Sequence, residues 1–146
     1  MNELSNLPTV VINHTAIAVE LAATDDAIKK GLSGRLSLAP GRGMLFIFPK
    51  PATYRFWMHD MRFPIDIIWI AENSVAEIHA NVSTRFDEVV PRRQSFIRWL
   101  LRRRRPLFYA PAHPIKYVLE VNAGFAAQHG IVPGNEVRFE NIITSI

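Results

Sequence analysis

The spacing of hydrophobic and polar positions changes several times along the chain, and each change marks an element. Residues 15–22, TAIAVELA, alternate in the manner of a strand. Thr24 follows as a helix N-cap, with Asp25 and Asp26 in the first turn, Lys29 and Lys30 in the last, and Gly31 beyond. That charge order complements a helix dipole, so a short helix is expected over 25–31. GLSGRLSLAPGRG (31–43) is turn and loop chemistry, and MLFIF (44–48) reads as a buried strand ended by Pro49 and Pro51. TYRFWM (53–58) and IDIIWIA (65–71) read as two more strands. Glu72-Asn73-Ser74 makes a turn, and VAEIHANV (75–82) returns as a hairpin partner. KYVLEVN (116–122) is a strand, AGFAAQHG (123–130) a short helix stopped by Gly130, and a Pro-Gly turn leads into a final strand within 131–144.

Between Pro91 and Pro114 the texture changes. PRRQSFIRWLLRRRRPLFYAPAHP is bounded by prolines, rich in arginine and without β alternation, so it reads as an insert. The fold expected is mainly β: a compact β-sandwich or small barrel with two short helices and this Arg-rich inserted segment. One domain spans 15–146, interrupted at 91–114, with residues 1–14 as an N-terminal arm. A chain of 146 residues is large enough to bury a real core in one domain.

Charge changes that picture in one place. The net charge is +4, yet seven arginines and no acid lie between Arg92 and Arg105; removing those seven leaves −3 for the rest. The high isoelectric point therefore belongs to the segment, not to the domain. The absence of cysteine excludes disulfides, thiolate nucleophiles and Cys-ligated zinc. The start of the sequence has no basic n-region followed by an apolar core, and no run of about twenty apolar residues suggests a membrane span. A cytoplasmic location is the expectation.

Four blocks, GLSGRLSL (31–38), GMLFIF (43–48), YRFWMHDMRFPIDIIWI (54–70) and YVLEVNAGFAAQHGIVPGNEV (117–137), resemble in order and spacing the domain of unknown function 192 family. The resemblance covers most of 15–90 and 116–139 and implies a mainly-β fold like a compact sandwich, with no established activity. Two departures stand out. Family members read Lys-Asn-Thr or similar where this chain has His59-Asp60-Met61, and the insert at 92–105 is longer and more basic than the family loop. Members are often exported or lipid-anchored.

Several residues could carry chemistry. In the strand 65–70, Ile65, Ile67 and Trp69 share one face, and Asp66, Ile68 and Ile70 the other. Both faces are apolar, so Asp66 should be buried. It then either pairs with a cation, Arg35 or Arg55, or serves as a binding or proton-transfer group. His59 and Asp60 could share a pocket only if the chain turns there, and a His59 general base would need a carboxylate in contact, Asp66 being the candidate. Glu120, set among Val118, Leu119 and Val121, invites the same question, and a raised pKa would follow if it neighboured Asp66. The histidines at 14, 59, 79, 113 and 129 lack metal-site spacing; a site would have to assemble from His59, His79 and Asp66, and no metal or cofactor is expected. Wound as a helix, 92–105 places Phe96, Trp99, Leu100 and Leu101 on one side and Arg98, Arg102 and Arg105 opposite, with Arg103 and Arg104 nearer the border.

Three functions follow as expectations. The first is a small ligand-binding or accessory domain with no assignable reaction, its pocket walled by Trp57 and Phe46, with Arg35, His59, Asp66 and Glu120 as polar groups and an unknown small molecule as partner. The second is a hydrolase using His59 with Asp66. The third is docking to an anionic membrane surface through 92–105, with Arg98, Trp99, Arg102, Arg103, Arg104 and Arg105 at the contact. Nucleic acid ranks last, since nothing else here resembles a nucleic-acid motif.

Overall fold

A computed structural model describes residues 6–84 and 107–143. The strands β1 (Thr9–Ile12), β2 (Thr15–Ala22), β3 (Arg42–Ala52), β4 (Ile65–Ile70), β5 (Val75–Val82), β6 (Ile115–Asn122) and β7 (Val137–Glu140) form a seven-stranded sheet in the order β5-β4-β6-β3-β2-β1-β7. β2 and β3 are parallel, and the other neighbours are antiparallel. A parallel pair needs a crossover. Helix α1 (Asp25–Lys30) supplies it, with the Thr24 hydroxyl accepting from the Ala27 N–H at 3.2 Å. The second short helix, α2 (Phe125–Gln128), follows β6.

The sheet curls so that one corner of β5 reaches the approach to β7. The Ala71–Ser74 turn before β5 touches the approach to β7 through Val75 N–H to Asn135 O (2.9 Å) and Val137 N–H to Asn73 O (2.8 Å). The result is a mainly-β half-barrel made from one curled sheet. Burial on both faces explains the uninterrupted buried runs of β3 and β4. Inside the curl lie Ile17, Val19, Leu45, Ile68, Leu119 and Val121, closed at one end by Phe125 and Ala126 of α2. Outside lie Met44, Phe46, Ile67, Trp69 and Val118, covered by Leu32, Met58 and the loops that carry them.

Four sequence expectations change in detail. Residues 9–12, read as part of an arm, form β1 in the interior of the sheet between β2 and β7. β3 does not stop at Pro49: its pairing with β6 slips after Ile47 and resumes at Ala52 opposite Ile115, so both prolines fall in the unpaired stretch, where a missing N–H costs nothing. Residues 53–58 are not a strand; only Phe56 makes an isolated bridge, with Tyr109. Of the proposed insert, 107–114 is described and includes that bridge, while 91–106 lies outside the described residues.

Candidate functional site

Asp66 is fully buried, and the structure gives it a role that neither expectation named. Its Oδ1 accepts the N–H groups of Asn81 (2.8 Å) and Gly124 (3.2 Å), and its Oδ2 accepts that of Ala126 (3.0 Å). Gly124 and Ala126 stand at the start of α2, whose own N-cap residue is a glycine with no side chain to cap it. Asp66 therefore caps α2 from a distant strand, with a negative charge at the helix's positive end. Gly124 takes φ +88°, a left-handed conformation in which other residues are strained. Asn81 N–H is available because the β4–β5 pairing slips between Ile65 and Ile67, leaving Ala80 and Asn81 unpaired opposite Asp66.

The cation partners expected for Asp66 are elsewhere. Arg35 binds Glu20 in a two-pronged pair, Nη1 to Oε1 at 2.9 Å and Nη2 to Oε2 at 2.6 Å, both side chains partly exposed. The hydrogen bond from Arg35 holds the Glu20 carboxyl below its usual range. Arg55 lies over the Phe108 ring at 4.7 Å. Nor does Asp66 meet His59. The chain does turn at Asp60 (φ +54°), and His59 Nε2 lies 3.4 Å from Asp60 Oδ2, but both side chains are more than half exposed. His59 with Asp66 is thus not an acid–base pair. No three metal-binding side chains converge among the described residues.

Glu120 is the group left unexplained by structure alone. Register places Glu20, Met44, Glu120, Ile67 and His79 in one row across β2, β3, β6, β4 and β5. Glu120 is the middle member, on the outer face beneath the loops. Asp66 pairs with Val121 on the opposite face, so the two carboxyls are separated by the sheet rather than neighbours. Gly43 allows the close packing here: a Cβ on it would fall 2.9 Å from the Glu120 carbonyl oxygen. Glu120 is 6% exposed, and burial alone raises its pKa to about 8. No described residue hydrogen-bonds its carboxyl. Among the described residues the carboxyl is thus nearly sealed and has no partner of its own. At neutral pH the group is mostly a neutral acid, able to donate one hydrogen bond and accept another.

The surroundings of Glu120 are ordered by loops tied to each other. Ser33 Oγ donates to His59 O (2.9 Å) and Gly34 N–H to Asp60 O (2.9 Å), joining the 31–36 and 57–61 loops. Asn122 Nδ2 donates to Leu38 O (2.9 Å). Asn122 shares a strand face with Glu120 and lines a shallow cleft of about 440 Å³ with Thr15, Pro40, Gly41, Phe125 and His129. Two residues along a strand is about 7 Å, so the cleft opens one step from Glu120. Of the expected pocket walls, Phe46 is buried core, while Trp57 is 46% exposed and stacks on His59. Arg35 reaches this row only through Glu20, Trp57 stacks on His59, no contact among the described residues joins either to Glu120, and Asp66 lies on the other face. Arg98, Trp99, Arg102, Arg103, Arg104 and Arg105 lie outside the described residues. No described helix is long and apolar enough to cross a membrane.

Comparisons with known proteins extend this description. A family model, DUF192, "Uncharacterized ACR", matches residues 9–139. Two crystal structures are similar over nearly the whole chain. One, of a protein of unknown function from Novosphingobium aromaticivorans DSM 12444, is 31% identical with a TM-score of 0.70, covering 89% of this chain and 83% of that one. The other, from Sinorhizobium meliloti 1021, is described as a candidate transcription regulator; it is 26% identical with a TM-score of 0.70, covering 97% of this chain and 100% of that one. A comparison with curated proteins finds no match. None of these descriptions names a reaction.

Proposed function

The chain belongs to the domain of unknown function 192 family, and from that premise we propose that it is a small ligand-binding domain with no assignable reaction. The ligand is taken on the loop-covered outer face at Glu120. One observation carries this reading: a nearly sealed carboxyl in the middle of an apolar sheet face, with no hydrogen-bond partner among the described residues. Burying such a group is unfavourable and adds nothing to packing that leucine would not supply better. Unpaired buried carboxyls are retained where something transient completes them. A neutral acid between Met44 and Ile67 suits a small, largely apolar molecule with one amide, hydroxyl or carboxyl group.

Binding rather than catalysis is favoured by the fate of the two catalytic candidates. Asp66 has its oxygens engaged by three backbone N–H groups, and His59 is exposed beside Asp60. The test is a thermal-shift screen of wild type and Glu120→Leu against a broad metabolite set. At least one compound should stabilise wild type and lose its effect on Glu120→Leu. A set that stabilises neither protein, or both equally, would remove Glu120 from the site.

A further inference from the structure

The bridge between Phe56 and Tyr109 builds a surface that the ligand site does not use. Two hydrogen bonds, Phe56 N–H to Tyr109 O at 2.8 Å and Tyr109 N–H to Phe56 O at 2.7 Å, lock these short extended segments together. Side chains alternate on extended backbone. Phe56 and Tyr109 turn inward, Phe56 meeting Phe46 and Trp69 edge-on and Tyr109 meeting His79. Their neighbours must then turn outward. Leu107, which this alternation does not turn outward, is nevertheless 50% exposed, and the adjacent Trp57 is 46% and Phe108 41% exposed. These side chains are fixed by each other: Trp57 stacks on Phe108 (5.9 Å, 11° between planes) and on His59 (4.7 Å, 19°), and the Arg55 guanidinium lies over Phe108 at 4.7 Å.

We propose that Arg55, Trp57, Leu107 and Phe108 form a docking surface for an anionic lipid membrane. Trp, Phe and Leu beside arginine are the side chains that partition into the headgroup region of a bilayer. Charge complementarity selects the lipid: the chain that runs into Leu107 carries seven arginines and no acid from 92 to 105, whereas the rest of the sequence is net negative. Arg55 adds a fixed cation within the surface itself. Geometry argues against single-stranded nucleic acid as the partner. Bases stack on open ring faces, but the ring of Trp57 already stacks on His59 and Phe108, and that of Phe108 on Trp57 and Arg55. The preassembled rings lose little side-chain freedom on insertion, which favours binding.

The test is co-sedimentation of the full chain with vesicles of phosphatidylcholine alone and with phosphatidylglycerol added, beside titration with a single-stranded oligonucleotide. The full chain should sediment with the phosphatidylglycerol vesicles, and added salt should weaken the binding. Trp57→Ala and, separately, Phe108→Ser should each bind about tenfold more weakly, because each removes much of the inserted apolar area. Both positions are exposed, so circular dichroism should show folded variants. Absence of vesicle binding, equal binding by folded Trp57→Ala and Phe108→Ser, or binding to the oligonucleotide in place of vesicles would overturn the proposal.

Discussion

Replacing Asp66 with asparagine should destabilise the domain while leaving the outer face intact. The carboxylate accepts three backbone N–H groups, two on Oδ1 and one on Oδ2. Asparagine can keep one oxygen toward Asn81 and Gly124, but its amide nitrogen then faces the Ala126 N–H, donor against donor. One charge-assisted hydrogen bond is lost, worth about 1.5–3 kcal/mol, and a buried N–H is left unsatisfied at a cost of about 1–3 kcal/mol. The loss of charge at the start of α2 adds a few tenths. Partial relaxation of the short helix offsets some of this, so a net loss of about 3 kcal/mol is expected. In a chain of 146 residues that corresponds to a drop in Tm of roughly 6–12 °C. Asp66→Ala leaves all three N–H groups without an acceptor and should be worse, approaching the whole stability of a marginal domain. Differential scanning calorimetry of the three proteins measures this directly. A Tm for Asp66→Asn within about 2 °C of wild type, below the smallest shift that 1 kcal/mol gives at this size, would refute the capping role. Ligand binding at Glu120, measured well below the lowered Tm, should be unchanged, because Asp66 lies on the other side of the sheet.

Further outcomes follow from other groups. Glu120 has a folded-state pKa raised to about 8, so the folded protein holds a proton that the unfolded chain has released above its ordinary carboxyl pKa of 4.5. Stability should therefore be fully present below 4.5, decline as pH rises from 4.5 to about 8 by about 1.4 kcal/mol per pH unit at most, and level off above. Glu120→Gln should remove that slope in Tm measured against pH; a slope equal to that of wild type would show that Glu120 is not its source. Arg35→Ala should change stability by no more than about 1 kcal/mol in urea melts, because the pair with Glu20 is partly exposed; a loss of several kcal/mol would mean that this pair organises the 31–36 loop. Thr24→Ala should cost about 1 kcal/mol by removing the side-chain cap on α1, and an unchanged urea midpoint would deny the cap any weight.

What the sequence made legible followed from local periodicity and charge. Thr24, Asp25 and Lys30 declare α1 because capping and dipole effects act within a turn. IDIIWI declares a strand covered on both sides, because that alone permits six buried residues in succession. The suspicion about Glu120 was also local, since acid among valines and leucine is conspicuous. The partners of Asp66 were not legible. Two of the three lie 58 and 60 residues away, and all three are backbone groups that carry no side-chain signature. A buried carboxylate suggests a cation partner by residue type alone. A bulge in β5 and a glycine in the left-handed region supplied the N–H groups instead. The failure at 53–58 has a similar cause: aromatic residues favour strands, but no continuous partner strand is available, and one bridge to Tyr109 is all that forms.

Methyl NMR of the methionines tests the ligand site most directly. Met44 is the cross-strand partner of Glu120, and Met58 and Met61 belong to the covering loops. With the methionine methyl groups labelled with carbon-13, a compound that stabilises the protein should shift the Met44 resonance, with smaller changes at Met58 or Met61. Glu120→Leu should abolish the shift. A ligand that binds tightly while Met44 stays unmoved would place the site elsewhere and contradict the role assigned to Glu120.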